Sequence, residues 1–142
     1  MSRIYWDTML FIYWLEANPA YEERVDAIWS RMQKRNDELI TGALALGEIL
    51  AGAYKHGADR KQIEKVRAGF EGAVSEVIPF SEKTADLFGQ IKGSLKIPSA
   101  DAIHLACAAS AGTDLFFTND DRLLGKIVPG IQFIASLNHP ML

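Results

Sequence analysis

Residues 97–112 read Ile97-Pro98-Ser99-Ala100-Asp101-Ala102-Ile103-His104-Leu105-Ala106-Cys107-Ala108-Ala109-Ser110-Ala111-Gly112, and this stretch decides the fold. Pro98 interrupts whatever precedes it, Ser99 is a suitable N-cap and Gly112 a suitable stop. Between them nearly every face is apolar, so the helix is predicted to be buried on most sides rather than to lie on a surface. Its alanines let neighbouring elements come close. Asp101 breaks the pattern, as an acid in the first turn of a buried helix. It either answers the helix dipole or faces a polar pocket. The cost of bringing a charge near an apolar core favours the pocket.

Working outward, short apolar runs alternate with helical periodicities. Arg3–Asp7 reads as a buried strand, and Thr8 opens a helix from Met9 to Glu16. From Tyr21 to about Asn36, Val25, Ile28, Trp29 and Met32 repeat with the spacing of an amphipathic helix. Glu38–Thr41 is a strand. Leu44–His56 is a helix ended by Gly57, and 58–72 a polar helix. Glu76–Phe80 is a strand, and Ser81 caps a helix from Glu82 to Lys92. After the 97–112 segment come a buried strand, Asp114–Thr118, a short helix over 119–124, a Pro129-Gly130 turn and a last strand, Ile131–Ala135. The alternation predicts one α/β domain spanning 1–142, with a mostly parallel sheet covered by helices on both faces.

The formal net charge of −3 excludes binding of polyanions by bulk charge, so contact with nucleic acid needs local basic residues or a bound cation. The single cysteine, Cys107, falls inside the buried helix and forbids a disulfide within one chain. With no signal-like or membrane-length apolar run, a cytoplasmic protein is expected.

In parallel α/β sheets, ligands bind beyond the carboxyl ends of the strands. Asp7 ends the first strand, and Asp120 follows the strand at 114–118. Asp101 heads a helix running antiparallel to that strand, and Glu48 lies on a helix that starts at the same edge. Glu48 is either a solvated surface acid or a site residue; Ala45, Ala51 and Gly52 beside it leave room for a ligand. Four acids are thus predicted at one edge. Four close carboxylates repel, which would raise some of their pKa values, and a cation would relieve the repulsion. An all-oxygen set points to a hard ion, Mg2+ or Mn2+. His104 is assigned a packing or supporting role rather than ligation. Nothing in the chain reads as a dinucleotide fingerprint, a P-loop or a zinc-protease motif.

The order Ile4-Tyr5-Trp6-Asp7-Thr8, Gly47-Glu48-Ile49, Ser99-Ala100-Asp101-Ala102-Ile103-His104-Leu105-Ala106 and Phe117-Thr118-Asn119-Asp120 resembles the PIN-domain ribonucleases, above all the VapC-type toxins of toxin–antitoxin pairs. The resemblance spans essentially the whole chain. It implies an Mg2+- or Mn2+-dependent endoribonuclease, usually a homodimer, inhibited by a cognate antitoxin. By motif it implies a metal site of Asp7, Glu48, Asp101 and Asp120, with Thr118 in support. Asp120 is preferred to Asp121 because it directly follows Thr118-Asn119. Arg122 is a candidate RNA contact. The segment before Glu48, Thr41-Gly42-Ala43-Leu44-Ala45-Leu46, is more apolar than the family pattern, which leaves open what supports Glu48. Two rival readings remain: a PIN-like module that binds RNA or a partner without cutting, and a metal-dependent phosphatase of small esters. Phe11, Tyr13, Trp14, Tyr21 and Trp29 are expected to leave some aromatic surface as a groove for an antitoxin helix.

Overall fold

The structure is a computed structural model and describes residues 1–139. Along the chain run β1 (Arg3–Trp6), α1 (Thr8–Leu15), α2 (Glu22–Arg35), β2 (Glu38–Gly42), α3 (Ala43–Lys55), α4 (Arg60–Ala73), β3 (Glu76–Ile78), α5 (Glu82–Ser94), α6 (Ser99–Ala111), β4 (Thr113–Thr118) and β5 (Ile131–Ser136). The five strands pair in the order β3-β2-β1-β4-β5, every pairing parallel. The chain steps outward from β1 to β3, returns to β4 on the other side of β1, and continues to β5. The reversal leaves a crevice between the ends of β1 and β4, where open α/β sheets place their ligands.

Strand alternation divides the interior into two cores. Ile4, Trp6, Leu39, Leu115 and Phe117 face one side with α1, α2, α3 and Phe70 of α4. Tyr5, Ile40 and Phe116 face the other, against α5 and α6. Burial on both faces is why these strands read as continuous apolar runs. Leu105, Ala106, Cys107 and Ala108 of α6 are all buried, in keeping with a helix that is apolar nearly all round. At the far end of the sheet Arg3 pairs with Glu38 at 2.8 Å and Glu76 at 2.7 Å, and so clips the starts of β1, β2 and β3 together.

Several boundaries differ from the sequence reading. Pro98, not Ser99, is the N-cap of α6: its carbonyl accepts the first helical bond, from Ala102 N–H at 3.1 Å, so Ser99 is already inside the helix. β3 stops at Ile78 because Pro79 has no N–H to extend the ladder. Only Asp121–Leu123 form a helical turn, of the 3-10 type. The start of α4 is set by a capping box: Asp59 accepts from Gln62 N–H, and the Gln62 side chain accepts from Asp59 N–H, both at 2.8 Å.

Of the aromatics expected to line a groove, two are buried and three are partly exposed. Phe11 and Tyr13 are buried, Trp6, Trp14 and Trp29 pack on one another with centroids 5.2–6.2 Å apart, and Tyr13 stacks on Tyr21 at 4.5 Å. Trp14 Nε1 donates to Asp26 at 2.7 Å. Trp14, Tyr21 and Trp29 stay only partly buried in this cluster.

Candidate active site

Asp7 follows β1 and caps α1, accepting from Met9 N–H at 3.1 Å. Its other oxygen accepts from the Thr118 hydroxyl at 2.7 Å and from Asn119 N–H at 3.3 Å. The carboxylate therefore ties the end of β1 to the end of β4 across the crevice. Burial pushes its pKa above the usual carboxylate value, and the Thr118 bond opposes that rise.

Glu48 projects from α3 and is partly exposed. Its Oε1 accepts from the Thr8 hydroxyl at 2.6 Å, and His104 Nε2 lies 3.3 Å from the same oxygen. The His104 contact, with Thr8 adding to it, holds the Glu48 carboxyl below its usual value. Asp101, in the first turn of α6, is pushed up by burial first and by the charge of Asp120 second. Asp120 caps the 3-10 turn, donates its N–H to Thr118 Oγ1 at 3.0 Å, and is gripped by Arg122, with Nε–Oδ1 at 2.9 Å and Nη2–Oδ2 at 2.7 Å. That guanidinium holds the Asp120 carboxyl below its usual value.

Asp7, Glu48 and Asp101 thus line one cleft of about 230 Å³, together with Thr8, Met9, Ile12, Ala100 and His104. Asp120 lies just outside it, turned to Arg122, yet close enough for its charge to act on Asp101. Two acids have raised pKa values, and in both burial leads; repulsion between carboxylates is secondary for Asp101 and not among the leading causes for Asp7. Among the described residues no three His, Cys, Asp or Glu side chains stand in metal-holding geometry. The acids are gathered at one edge but not drawn into a cage. The sequence reading missed Thr8 and Tyr5. Thr8 stood out only as the start of a helix, because the acid its hydroxyl serves, Glu48, lies 40 residues away. Tyr5 carries no such signal.

These features define an α/β protein with an acidic cleft at the switch point of a parallel sheet. The sequence matches the PIN domain over residues 4–127, and the chain belongs to the PIN-domain family. Similar solved structures include VapBC2 from Rickettsia felis bound to a promoter DNA fragment, with 18% identity over 94% of this chain and 98% of that one and a TM-score of 0.73. FitAB bound to the IR36 DNA fragment is 20% identical over 98% of both chains, with a TM-score of 0.70. A toxin–antitoxin complex from Klebsiella pneumoniae is 17% identical over 90% of this chain and 94% of that one, with a TM-score of 0.65. At these identities the likeness is one of fold. No curated protein matches the sequence.

Proposed function

We propose that this PIN-domain protein is an endoribonuclease that depends on Mg2+ or Mn2+, and the toxin of a toxin–antitoxin pair. The observation that carries the proposal is the convergence of Asp7, Glu48 and Asp101, from three separate elements, on one cleft at the sheet's switch point. The donors suit a hard divalent ion, being carboxylate oxygens without thiolates. Asp7 and Asp101, whose charged forms burial disfavours, are the acids that a cation would relieve most.

Bound there, such an ion supplies Lewis acidity toward a phosphoryl oxygen and a water of lowered pKa. The protein's part is placement. Thr118 and the start of α1 hold Asp7, Thr8 and His104 hold one oxygen of Glu48, and the first turn of α6 presents Asp101. Asp120 completes the acidic set. Arg122, 76% exposed at its side chain, offers a guanidinium to the RNA backbone, a contact that gives affinity without sequence choice.

The partner assignment leans on the fold shared with proteins whose structures are toxin–antitoxin complexes. With Phe11 and Tyr13 buried, the better seat for an antitoxin helix is the apolar groove of Ile12, Leu15, Ile49, Ala53 and Val66, between α1, α3 and α4. Ile12 lines both this groove and the acidic cleft, so a bound helix would end beside the acids. A homodimer belongs to the same proposal and is read out by light scattering.

The test is cleavage of a single-stranded RNA with Mg2+, with Mn2+ and with EDTA. Wild type should cut only with metal. Asp101→Asn should lose activity by orders of magnitude while its circular dichroism is unchanged. A second reading is a module that binds RNA or a partner without cutting it, and it is favoured by Asp120 being turned to Arg122. Tight RNA binding with no metal-dependent cleavage would select that reading.

A further inference from the structure

Glu48 cannot be held from its own segment. The residues before it, Gly42-Ala43-Leu44-Ala45-Leu46-Gly47, carry no polar side chain. Its support comes from across the fold, and we infer that Tyr5 and His104 are positioning residues for the Glu48 carboxylate. This rests on the reading of Glu48 as an acid of the metal site.

The hydrogen bonds form one chain with a determined direction. Thr8 Oγ1 lies 2.6 Å from Glu48 Oε1, a contact to a carboxylate that uses the only hydroxyl proton Thr8 has. Thr8 Oγ1 is then an acceptor toward His104 Nε2, 3.0 Å away, so Nε2 carries the imidazole proton. The same N–H points toward Glu48 Oε1 at 3.3 Å. In the neutral ring Nδ1 is then an acceptor, and Tyr5, 2.7 Å away, donates its hydroxyl to it. The tautomer is fixed by a partner at each ring nitrogen.

Water is excluded from the Tyr5–His104 and His104–Thr8 links, which are buried, while the Glu48 end is partly exposed. Tyr5 is 0%, His104 3% and Thr8 6% exposed. The Tyr5 ring stacks on Phe116 with centroids 5.1 Å apart, and His104 meets its edge at 5.8 Å. Space for the hydroxyl is kept by Gly42, where an added Cβ would lie 2.7 Å from the Tyr5 oxygen. The missing side chain at the β2–α3 junction and the anchor of the relay are thus one feature. Both Thr8 and His104 converge on Oε1. Among the described residues no hydrogen bond engages Oε2, which stays available in the cleft. The outcome is a carboxylate with one oxygen pinned and the other free to bind, as partners behind a ligating group generally arrange it.

The experiment measures Mn2+ binding to the full chain by electron paramagnetic resonance and by calorimetry, without substrate. His104→Leu should weaken Mn2+ by about 10–100-fold, the usual loss for a partner behind a ligand. Tyr5→Phe, which removes one oxygen and keeps the ring packing, should show a smaller loss. His104→Gln, whose amide can donate toward Thr8 and Glu48, should recover most of the affinity. These two variants carry the test if His104→Leu does not fold. In a Glu48→Gln background, the His104 substitutions should add no further loss. Wild-type Mn2+ affinity in folded His104→Leu and Tyr5→Phe overturns the inference, as does an undiminished His104 effect in the Glu48→Gln background. Glu48→Gln binding Mn2+ as wild type does would overturn the metal-site reading itself, a separate result.

Discussion

Asp7 serves two ends, holding the crevice together and standing in the acidic cleft, and substitution separates them. In Asp7→Ala the α1 cap is lost, at a cost of about 0.5–2 kcal/mol. The Thr118 hydroxyl, fully buried, and Asn119 N–H also lose their acceptor. An unsatisfied buried donor costs about 1–3 kcal/mol. Half-buried Asn119 regains some water, so the sum is about 2–4 kcal/mol, or roughly 6–16 °C of melting temperature for a chain of this length. Asp7→Asn behaves differently. Its amide oxygen still caps Met9 N–H and the buried charge is gone, but its NH2 replaces the oxygen that accepted from Thr118 and Asn119 N–H, so the Thr118 hydroxyl must turn from donor to acceptor. It should be more stable than Asp7→Ala, since Asn and Asp cap equally well and removal of the buried charge offsets part of the lost acceptor.

The pH dependence has a definite sign. The folded-state pKa of Asp7 is raised, so the folded protein holds that proton more tightly than the unfolded chain. The group's contribution to stability is present below the ordinary carboxylate value and falls as pH rises through the raised one. The melting temperature of Asp7→Asn minus that of wild type should therefore grow from pH 4 to pH 7. The assay is differential scanning calorimetry in EDTA, with an Mg2+ arm in which wild type gains stability by mass action and both variants gain less. An Asn variant as unstable as the Ala variant, or a difference that shrinks as pH rises, would refute the account of Asp7 as a buried, hydrogen-bonded charge.

Gly42→Ala should destabilise by about 1–3 kcal/mol through overpacking, because the new methyl meets Tyr5 Oη at 2.7 Å and Cys107 Cβ at 3.3 Å; a urea titration measures it. Cys107, with its thiol pushed up to about 11 by burial, should stay unreactive to a thiol reagent at pH 8 until the chain is unfolded. Arg122→Gln should weaken RNA binding and lower the slope of log affinity against log salt by about 0.7, the value of one phosphate contact on a single strand; an unchanged slope removes Arg122 from the RNA path.

Element identity was largely written in local pattern. The all-round apolar character of 99–111 required burial on most sides, and the buried α6 satisfies it. Alternating runs announced a parallel sheet with two covered faces, because a strand buried on both sides has no polar face to show. The edge on which Asp7 and Asp101 lie followed from the same logic, since strand ends and helix starts share one edge of any such sheet. Boundaries were less legible where a backbone detail decided them, as at Pro98, whose carbonyl starts α6 one residue early.

Tertiary structure decided which way the side chains turn. Asp120 pairs with Arg122 beside the cleft, the tryptophans of α1 and α2 pack on each other, and Glu48 is supported by Thr8 and His104. The Thr118–Asp7 and Tyr5–His104 bonds join residues 111 and 99 positions apart. Local propensity carries no information over such separations. These contacts exist because β1 and β4 pair in one register, Tyr5 opposite Phe116 and Trp6 opposite Phe117, and a slip of one residue would turn Tyr5 away from α6 and break the chain of hydrogen bonds to Glu48.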